Sequence, residues 1–586
     1  MTLMTNDPNQ PQSAFSRYRF ITILIILLLI VGIVVGRLFY LVGIEKSFLR
    51  SKGMAEADHP IVVPAYRGLI LDRNGIPVAI SAPIDNIVFD PKVLIQSPGS
   101  WEQLASSPGL GLSFAQIKSM VTTHANSQYF VAKRNLPPNV AQEIAAMQIP
   151  GVYVEKKHES FYPYGPATAQ LIGFTDYNDS GQDGLELAYN KGLRAINGRE
   201  LVTENAIGQI LTIDSMAKSP TDGKNLTLSI DSRIQYMAYQ ALQEEVTSTQ
   251  ATSGSAVVLD PQTGEVLAAV SYPSFNPNSY TDRAGTNVKD RAITDTFEPG
   301  STMKVITLAA ALDSGKYSAH TPIDTNPGFF FINGNKIRDD GNYGLIDTTG
   351  VLTKSSNVGI SKIALSLPRS TVYNKFINLG IGSSPSGMFP GEASGFIYPQ
   401  DSLGDFQFAT MTFGYSVTVS LLQLARVYAA IANDGIILPA TFLKIDSPPA
   451  GTRVMGSETA HTLIQMLQTV VGPGGTGILA NIPGYMVAGK TGTAHQAAPQ
   501  GGYYKNRYNT LFVGMVPADH PRLVIAIRID NPQGHFNSYG GVSAAPVFAK
   551  IAEQSMHILG IPPDKSQVDQ VLFKSQQQLL QEVVEA

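Results

Sequence analysis

Lys490-Thr491-Gly492-Thr493 (KTGT) completes a set of three short motifs, preceded in the chain by Ser301-Thr302-Met303-Lys304 and Ser355-Ser356-Asn357. Together they supply a hydroxyl nucleophile, amines beside it, polar bridging groups and hydroxyls that can clamp a carboxylate. That is the inventory for acyl transfer through a serine ester. Glu298-Pro299-Gly300 reads as a turn, and Ser301 then opens an apolar helix running to Leu312. A helix N-terminus offers unpaired N–H groups and a positive dipole end, which favour an alkoxide and an adjacent oxyanion. Lys304 falls one turn later on the same face. Burial can lower its pKa until the neutral amine takes the serine proton.

Each motif alone carries little weight. Roughly two Ser-x-x-Lys matches are expected by chance in a chain this long, and Ser215-Met216-Ala217-Lys218 is a second one. That copy sits in a stretch, Ser215 to Asn225, whose Pro and Gly read as a linker. Ser355-Ser356-Asn357 precedes a small-residue helix, Val358 to Leu365, so Ser355 and Asn357 are candidates either for the cleft wall or for capping. Tyr485 to Gly489 leads into KTGT as a strand. There Gly492 is expected to remove a side chain where a substrate backbone would lie alongside. The argument rests on the order of the three motifs, each at the end of an element within one domain.

The rest of the chain bounds the reading. It has 586 residues, 44% hydrophobic and 15% charged, enough for two or more cores. The net charge of −4 and the lack of a basic stripe give no sign of a nucleic-acid partner. There is no cysteine, and the nine histidines show no metal-ligand spacing, so neither a metal nor a cofactor is expected. Phe20 to Gly36, continued by Leu38 to Ile44, is apolar enough for a membrane helix, and no cleavage pattern follows it. The flanking charges leave its orientation open.

Short strand runs follow it, Ile61 to Val63, Gly68 to Leu71 and Ile76 to Ala79, with Asn74-Gly75 as a hairpin turn. A compact α/β pattern starts at Leu226, with a strand to Ile230 and an amphipathic helix from Arg233 to Val246. A hairpin of Ser255–Leu259 and Val266–Val270 comes next, then late strands Leu511–Val516 and Leu523–Ile529.

Over nearly all of residues 20–560 the chain resembles the class B penicillin-binding proteins, in particular their division-type members. Arg67-Gly68 with Asp72-Arg73-Asn74-Gly75 and Ala79 is similar to the family's RGxxxDRxG motif, and Gly181 to Glu186 to its GxxGLE motif. Tyr162-Pro163 resembles the core of RxYP, with Ser160 where arginine is usual, which puts a local salt bridge in question. Ser355 to Gly359, Pro390-Gly391-Glu392 and Tyr539-Gly540-Gly541 resemble the division type more than the elongation type.

The resemblance implies an α+β chain with a single N-terminal membrane helix, an elongated mixed pedestal and a transpeptidase domain. In the latter a five-stranded antiparallel sheet is covered by helices. It implies a cytoplasmic tail (1–19), a membrane helix (20–43), a periplasmic pedestal (44–220), a transpeptidase domain (221–560) and a C-terminal tail (561–586). It implies D,D-transpeptidation of peptidoglycan stem peptides at the inner membrane, with β-lactams as inhibitors and a glycan polymerase and other division proteins as partners.

By the same resemblance Ser301 is the nucleophile and Lys304 its base. Ser355 relays a proton between Lys304, Lys490 and the leaving amine, and Asn357 holds the donor amide. Thr491 and Thr493 bind the terminal carboxylate, and the N–H groups of Ser301 and Thr493 form the oxyanion hole. A serine β-lactamase, a β-lactam sensor, an inactive scaffold and an elongation-type enzyme are the rival readings. Between Asn357 and Lys490 the sequence lacks the Glu-x-x-x-Asn stretch that Glu-based hydrolases use.

Overall fold

In the computed structural model, residues 14–204, 210–534 and 536–564 are described. The N-terminal apolar run forms a helix, Ala14–Phe39, extended by a π turn, Tyr40–Ile44, and followed by the helix Lys46–Ala57. Residues 17–44 are 28 in number and none of their apolar stretch is buried by protein. At 1.5 Å per residue that length is about 42 Å, more than a bilayer core requires.

Next come two small sheets. Asp58–Val63 pairs antiparallel with Gly198–Glu204, which pairs with Ile210–Lys218. The second sheet centres on Pro77–Phe89, flanked by Phe130–Leu136, Ile70–Leu71 and Val152–Phe161. Trp101, Leu104, Ile117, Val121 and Ile144, from short helices, pack against Ile87 and Phe89 to form a separate core.

The expected linker is only partly a linker. Its first four residues, including the second Ser-x-x-Lys copy, lie in the strand Ile210–Lys218, with Met216 opposite Glu200. Pairing supplies the backbone bonds that its composition did not foreshadow. The remainder is pinned as well: the N–H of Gly223 donates to the Tyr66 carbonyl at 2.9 Å. The expected strand from Leu226 to Ile230 shrinks to Leu226–Thr227, which pairs in parallel with Ile70–Leu71 and so completes the preceding sheet.

The second half is built on five antiparallel strands. Their spatial order is Val266–Tyr272, Ser253–Leu259, Leu523–Asp530, Tyr503–Val516, Ala488–Ala497. Both faces are covered, which explains the unbroken apolar runs in its strands. Ala256 and Val258 pack in the core that holds Ile234, Leu242, Phe548 and Ile551. Those side chains come from the helices Ser232–Ser248 and Gly540–Ile558. Val257 and Leu259 face the larger core, with residues of Lys304–Asp313, Leu421–Ala432 and Ser457–Val471. The strand carrying KTGT is an edge of this sheet.

The motifs outside the site brace the first half internally and, through Asp72, join it to the second. Arg67, almost fully buried, donates from Nε to Glu186 Oε2 at 2.9 Å and from a terminal nitrogen to the Asp179 carbonyl at 2.8 Å. The Tyr162 hydroxyl donates to Glu186 Oε1 at 3.2 Å. The missing arginine is replaced by a neutral contact, Ser160 Oγ donating to Asp179 Oδ1 at 2.9 Å. Asp179 is pushed up to about 6 by burial, with Arg67 pulling it back down. Asp72 accepts from the N–H of Asn74 and of Ile76, both at 2.8 Å, which closes the Asn74-Gly75 turn. Its other oxygen accepts from Ser232 Oγ at 2.8 Å, tying that turn to the start of the helix Ser232–Ser248.

Glu186→Ala would leave the Arg67 guanidinium buried without its carboxylate, at a cost of about 3–5 kcal/mol. A lower denaturant midpoint with an unchanged slope is the expected result, and a midpoint within error of the parent protein would contradict it.

Candidate active site

The nucleophile turn is built by close backbone approach. Gly300 has φ +55, and its N–H donates to the Gly414 carbonyl at 3.1 Å. A side chain on Gly414 would meet the Gly300 carbonyl oxygen at 2.1 Å. Gly300 to Met303 forms a 3₁₀ turn and the α-helix begins only at Lys304, one turn later than the sequence pattern predicts. In a 3₁₀ turn residues three apart eclipse one another, which still places Ser301 and Lys304 on one side. The Thr302 hydroxyl donates to the Pro299 carbonyl at 2.8 Å, and the buried Tyr428 hydroxyl donates to the Thr302 carbonyl at 2.9 Å. Tyr428 lies far along the chain, and no local pattern announces it.

Ser355 receives both lysines. Lys304 Nζ lies 3.1 Å from Ser355 Oγ and also donates to the Ser355 carbonyl, while Lys490 Nζ lies 2.9 Å from the same Oγ. Ser355 has φ +59, in the left-handed region that costs a β-carbon of order 1 kcal/mol, and this conformation accompanies the convergence of its carbonyl and hydroxyl on Lys304. The capping question resolves in the same place. Helix Asn357–Leu365 is capped by Ser356, whose Oγ accepts from the Gly359 N–H at 2.8 Å, and by Asp339, which accepts from the Val358 N–H at 2.9 Å. Ser355 is thereby free for the lysines. Asn357 donates its amide to the Arg338 carbonyl at 3.1 Å and lines the cleft. Sequence reasoning missed Asp339, because the helix it caps starts eighteen residues later.

Both lysines are fully buried. Burial lowers Lys304 to about 7, against the opposing pull of Asp339 and Asp340. Lys490 is held well below the ordinary lysine value, first by burial and then by the Lys304 charge. Two ammonium groups on one hydroxyl repel, so the pair holds at most one extra proton near neutrality. A hydroxyl donates one hydrogen bond and accepts two, so Ser355 can take a proton from one amine and give one to the other.

KTGT lies on the edge strand Ala488–Ala497, with Lys490 opposite Val513 and Thr493 opposite Thr510. Thr491 Oγ1 lies 2.7 Å from Thr476 Oγ1, a further hydroxyl the motifs did not reveal. Thr493 Oγ1 accepts from the Gly540 N–H at 3.2 Å, which leaves its own hydrogen free for a ligand. Gly492 also has a packing role. A β-carbon there would meet Thr302 Cγ2 at 2.9 Å and the Pro299 carbonyl oxygen at 3.0 Å, so the glycine makes room for the nucleophile turn.

Ser301, Ser355, Asn357, Thr491 and Thr493 line one cleft of about 720 Å³, whose walls also include Arg338, Asp340, Tyr415, His495, Tyr508 and Tyr539. Among the described residues no group of acidic, histidine or cysteine side chains is arranged to hold a metal. The arrangement suits proton removal from Ser301 by an amine, attack on an acyl carbon and capture of a carboxylate by threonine hydroxyls.

Comparison with known proteins places this cleft in a family. The penicillin-binding protein transpeptidase domain matches residues 254–553, and the penicillin-binding protein dimerisation domain matches residues 62–228. The probable peptidoglycan D,D-transpeptidase PbpC of Pseudomonas aeruginosa is 37% identical over 551 residues, 94% of this chain and 97% of its own. Peptidoglycan D,D-transpeptidase FtsI of Escherichia coli K12 is 36% identical over 556 residues, 94% of this chain and 93% of its own. Penicillin-binding protein 3 of Mycobacterium tuberculosis in complex with ampicillin matches with a TM-score of 0.67 and 28% identity, over 86% of this chain and 98% of that one.

Two predictions arise here. Acylation by a penicillin needs neutral Lys304, so its second-order rate constant should rise through about pH 7 and fall about tenfold per unit below it; a flat profile between pH 5.5 and 8 would contradict the assignment. Gly492→Ala should slow acylation about tenfold, since overpacking costs about 1–3 kcal/mol and falls here on the nucleophile turn. An unchanged rate would show that the turn yields freely.

Proposed function

The chain belongs to the penicillin-binding protein transpeptidases, and on that premise we propose that the cleft cross-links peptidoglycan stem peptides through an ester on Ser301. It is a serine-type D,D-transpeptidase of the class B kind and a target of β-lactams. The observation that supports the residue roles most directly is the Ser355 hydroxyl shared by Lys304 and Lys490.

In this reading neutral Lys304 takes the Ser301 proton as Oγ attacks the carbonyl of the penultimate D-alanine. The negative oxygen settles on the N–H groups of Ser301 and Thr493, a donor set in which each bond is worth about 3–4 kcal/mol. An outward N–H at Thr493 is supported by its neighbour two positions on. The His495 N–H leaves the sheet for the Tyr415 hydroxyl at 3.4 Å, and strand geometry repeats every second residue. The C–N bond then breaks, and the departing D-alanine takes a proton passed from Lys304 through Ser355, with Lys490 holding the relay in place. Thr491 and Thr493, joined by Thr476, bind the terminal carboxylate, and Asn357 orients the donor amide. An amine from a neighbouring stem then attacks the ester and gives a proton to neutral Lys304, which returns it to Ser301 Oγ as the ester C–O bond breaks. A β-lactam follows the first half of this course and stays on the serine.

The remainder of the proposal concerns placement. The long N-terminal apolar helix anchors the chain in the inner membrane, with the residues before it inside and the catalytic half in the periplasm, where the polymer lies; residues 1–13 of the tail lie outside the described residues. Residues 44–220 serve as the pedestal and 221–560 as the transpeptidase domain. The likeness to FtsI supports a septal role, with a membrane glycan polymerase and other division proteins as partners.

The test is covalent labelling. Ser301→Ala should abolish labelling by a fluorescent penicillin while the melting temperature stays within a few degrees of the parent, and Ser215→Ala should leave labelling intact. Label retained in Ser301→Ala, or lost in Ser215→Ala, would contradict the proposal.

A further inference from the structure

A ledge of aromatic rings begins where the cleft ends at Tyr415 and continues onto the open surface. The Tyr415 ring meets that of Tyr503 at 5.6 Å between centroids and 88° between planes, and the rings of Phe396 and Tyr398 meet at 4.7 Å and 81°. Edge-to-face contacts of this kind cover ring edges and spare ring faces. Tyr415 lines the cleft, while Phe396, Tyr503 and Tyr398 are 49%, 47% and 40% exposed. Burial pushes the Tyr503 phenol up, and Glu298, Tyr415 and Tyr398 add to the effect, so Tyr398 lies close to Tyr503 and the four rings are neighbours.

Three segments carry the ledge, and each is tied to the nucleophile side of the cleft. Phe396–Ile397 pairs antiparallel with Val417–Thr418, which directly follows Tyr415 and Ser416. The Tyr503 hydroxyl donates to Glu298 Oε1 at 3.0 Å, and the Ser416 N–H donates to the same oxygen at 2.8 Å. Glu298 lies three residues before Ser301, so one carboxylate fixes both the outer ring and the segment of the inner one. The Tyr415 hydroxyl in turn accepts from the His495 N–H at 3.4 Å. Aromatic surface that is left in water, yet ordered in advance on three tied segments, marks a binding face.

What covers this face follows from what enters the cleft, and here the inference rests on the proposed function. With the donor carboxylate at Thr491 and Thr493 and the reacting carbonyl at the Thr493 N–H, an extended donor pairing antiparallel with the edge strand runs toward His495 and leaves beside Tyr415. A stem peptide hangs from a sugar by its first residue, so the few residues that remain bring the glycan about 10 Å beyond that point. The ledge occupies that side of the cleft. A pyranose ring carries C–H groups on its faces and hydroxyls on its rim, which matches aromatic faces with a phenol hydroxyl beside them. We propose that Phe396, Tyr398 and Tyr503 form a platform for the sugar rings of the glycan strand that bears the donor stem. The platform holds the strand while Ser301 reacts, and it makes glycan-borne stems better donors than free ones.

Competition against a fluorescent penicillin, on the full-length protein in detergent micelles, tests this. The competitors are a sugar-free stem peptide and the same stem carried on a tetrasaccharide of the glycan repeat. Their apparent dissociation constants are measured for the parent, for the double variant Phe396→Ser with Tyr398→Ser, and for Tyr398→Phe. The parent should bind the sugar-borne stem about tenfold more tightly than the free one, the equivalent of about 1.4 kcal/mol. The double variant should lose that preference, with its affinity for the sugar-free stem and its acylation constant without competitor unchanged. Tyr398→Phe keeps the ring and should keep most of the preference. Loss of folded protein cancels in the ratio of the two constants. A parent without preference, or a preference unmoved in the double variant, overturns the inference while leaving the transpeptidase reading intact. An equal loss of affinity for both competitors also overturns it, since the rings would then only support the cleft. Absence of any acylation of the parent overturns the transpeptidase reading, and this one with it.

Discussion

Two lysine ammonium groups cannot both stay charged while buried around one serine hydroxyl, and the chemistry of this protein depends on that constraint. Lys304 and Lys490 approach Ser355 Oγ to 3.1 and 2.9 Å. In water both would be protonated and neither could serve as a base. Removed from water, the pair sheds a proton, and Lys304 moves to about 7, where it can accept and return a proton at little cost. The shift needs full burial, and burial needs a fold that closes around three separated segments of chain.

That closure is made mostly of backbone. Gly414 and Gly492 let the nucleophile turn sit against a loop and against the edge strand at separations that exclude a β-carbon, and Gly300 supplies the left-handed backbone of the turn. The five-stranded sheet supplies the flat, doubly covered surface that these approaches require, and Lys490 reaches Ser355 from its edge. The same logic holds outside the cleft. Arg67 and Glu186 pair across 119 residues within the first half, and buried Asp72 reaches Ser232 in the second across 160. No reacting group is among them.

Local rules made much of this legible. The membrane helix, the Asn74-Gly75 turn, the hairpin of residues 253–272 and the lysine-bearing edge strand follow from apolar run length and turn chemistry. The motif order brought out Ser301, Lys304, Ser355, Asn357, Lys490, Thr491 and Thr493, all of which converge on the cleft or on Ser355. What escaped was nonlocal. Residues 215–218 became a strand because Gly198–Glu204 was present to pair with them, and Leu226–Thr227 joined the earlier sheet because Ile70–Leu71 offered an edge. Asp339, Thr476 and Tyr428 gain meaning only from partners brought by the fold. The packing of the nucleophile turn on Gly492 escaped as well, since a strand pattern does not say what packs on it.

Titration of the two buried amines is the most direct measurement of the central claim. Protein carrying ¹³C at the lysine side-chain carbons, with Lys304 and Lys490 signals assigned through Lys304→Arg and Lys490→Arg, can be followed by NMR from pH 5 to 11. The account predicts that Lys304 titrates near 7 and that Lys490 also titrates well below the ordinary lysine range. Both signals titrating together with the surface lysines near 10.4 would contradict it.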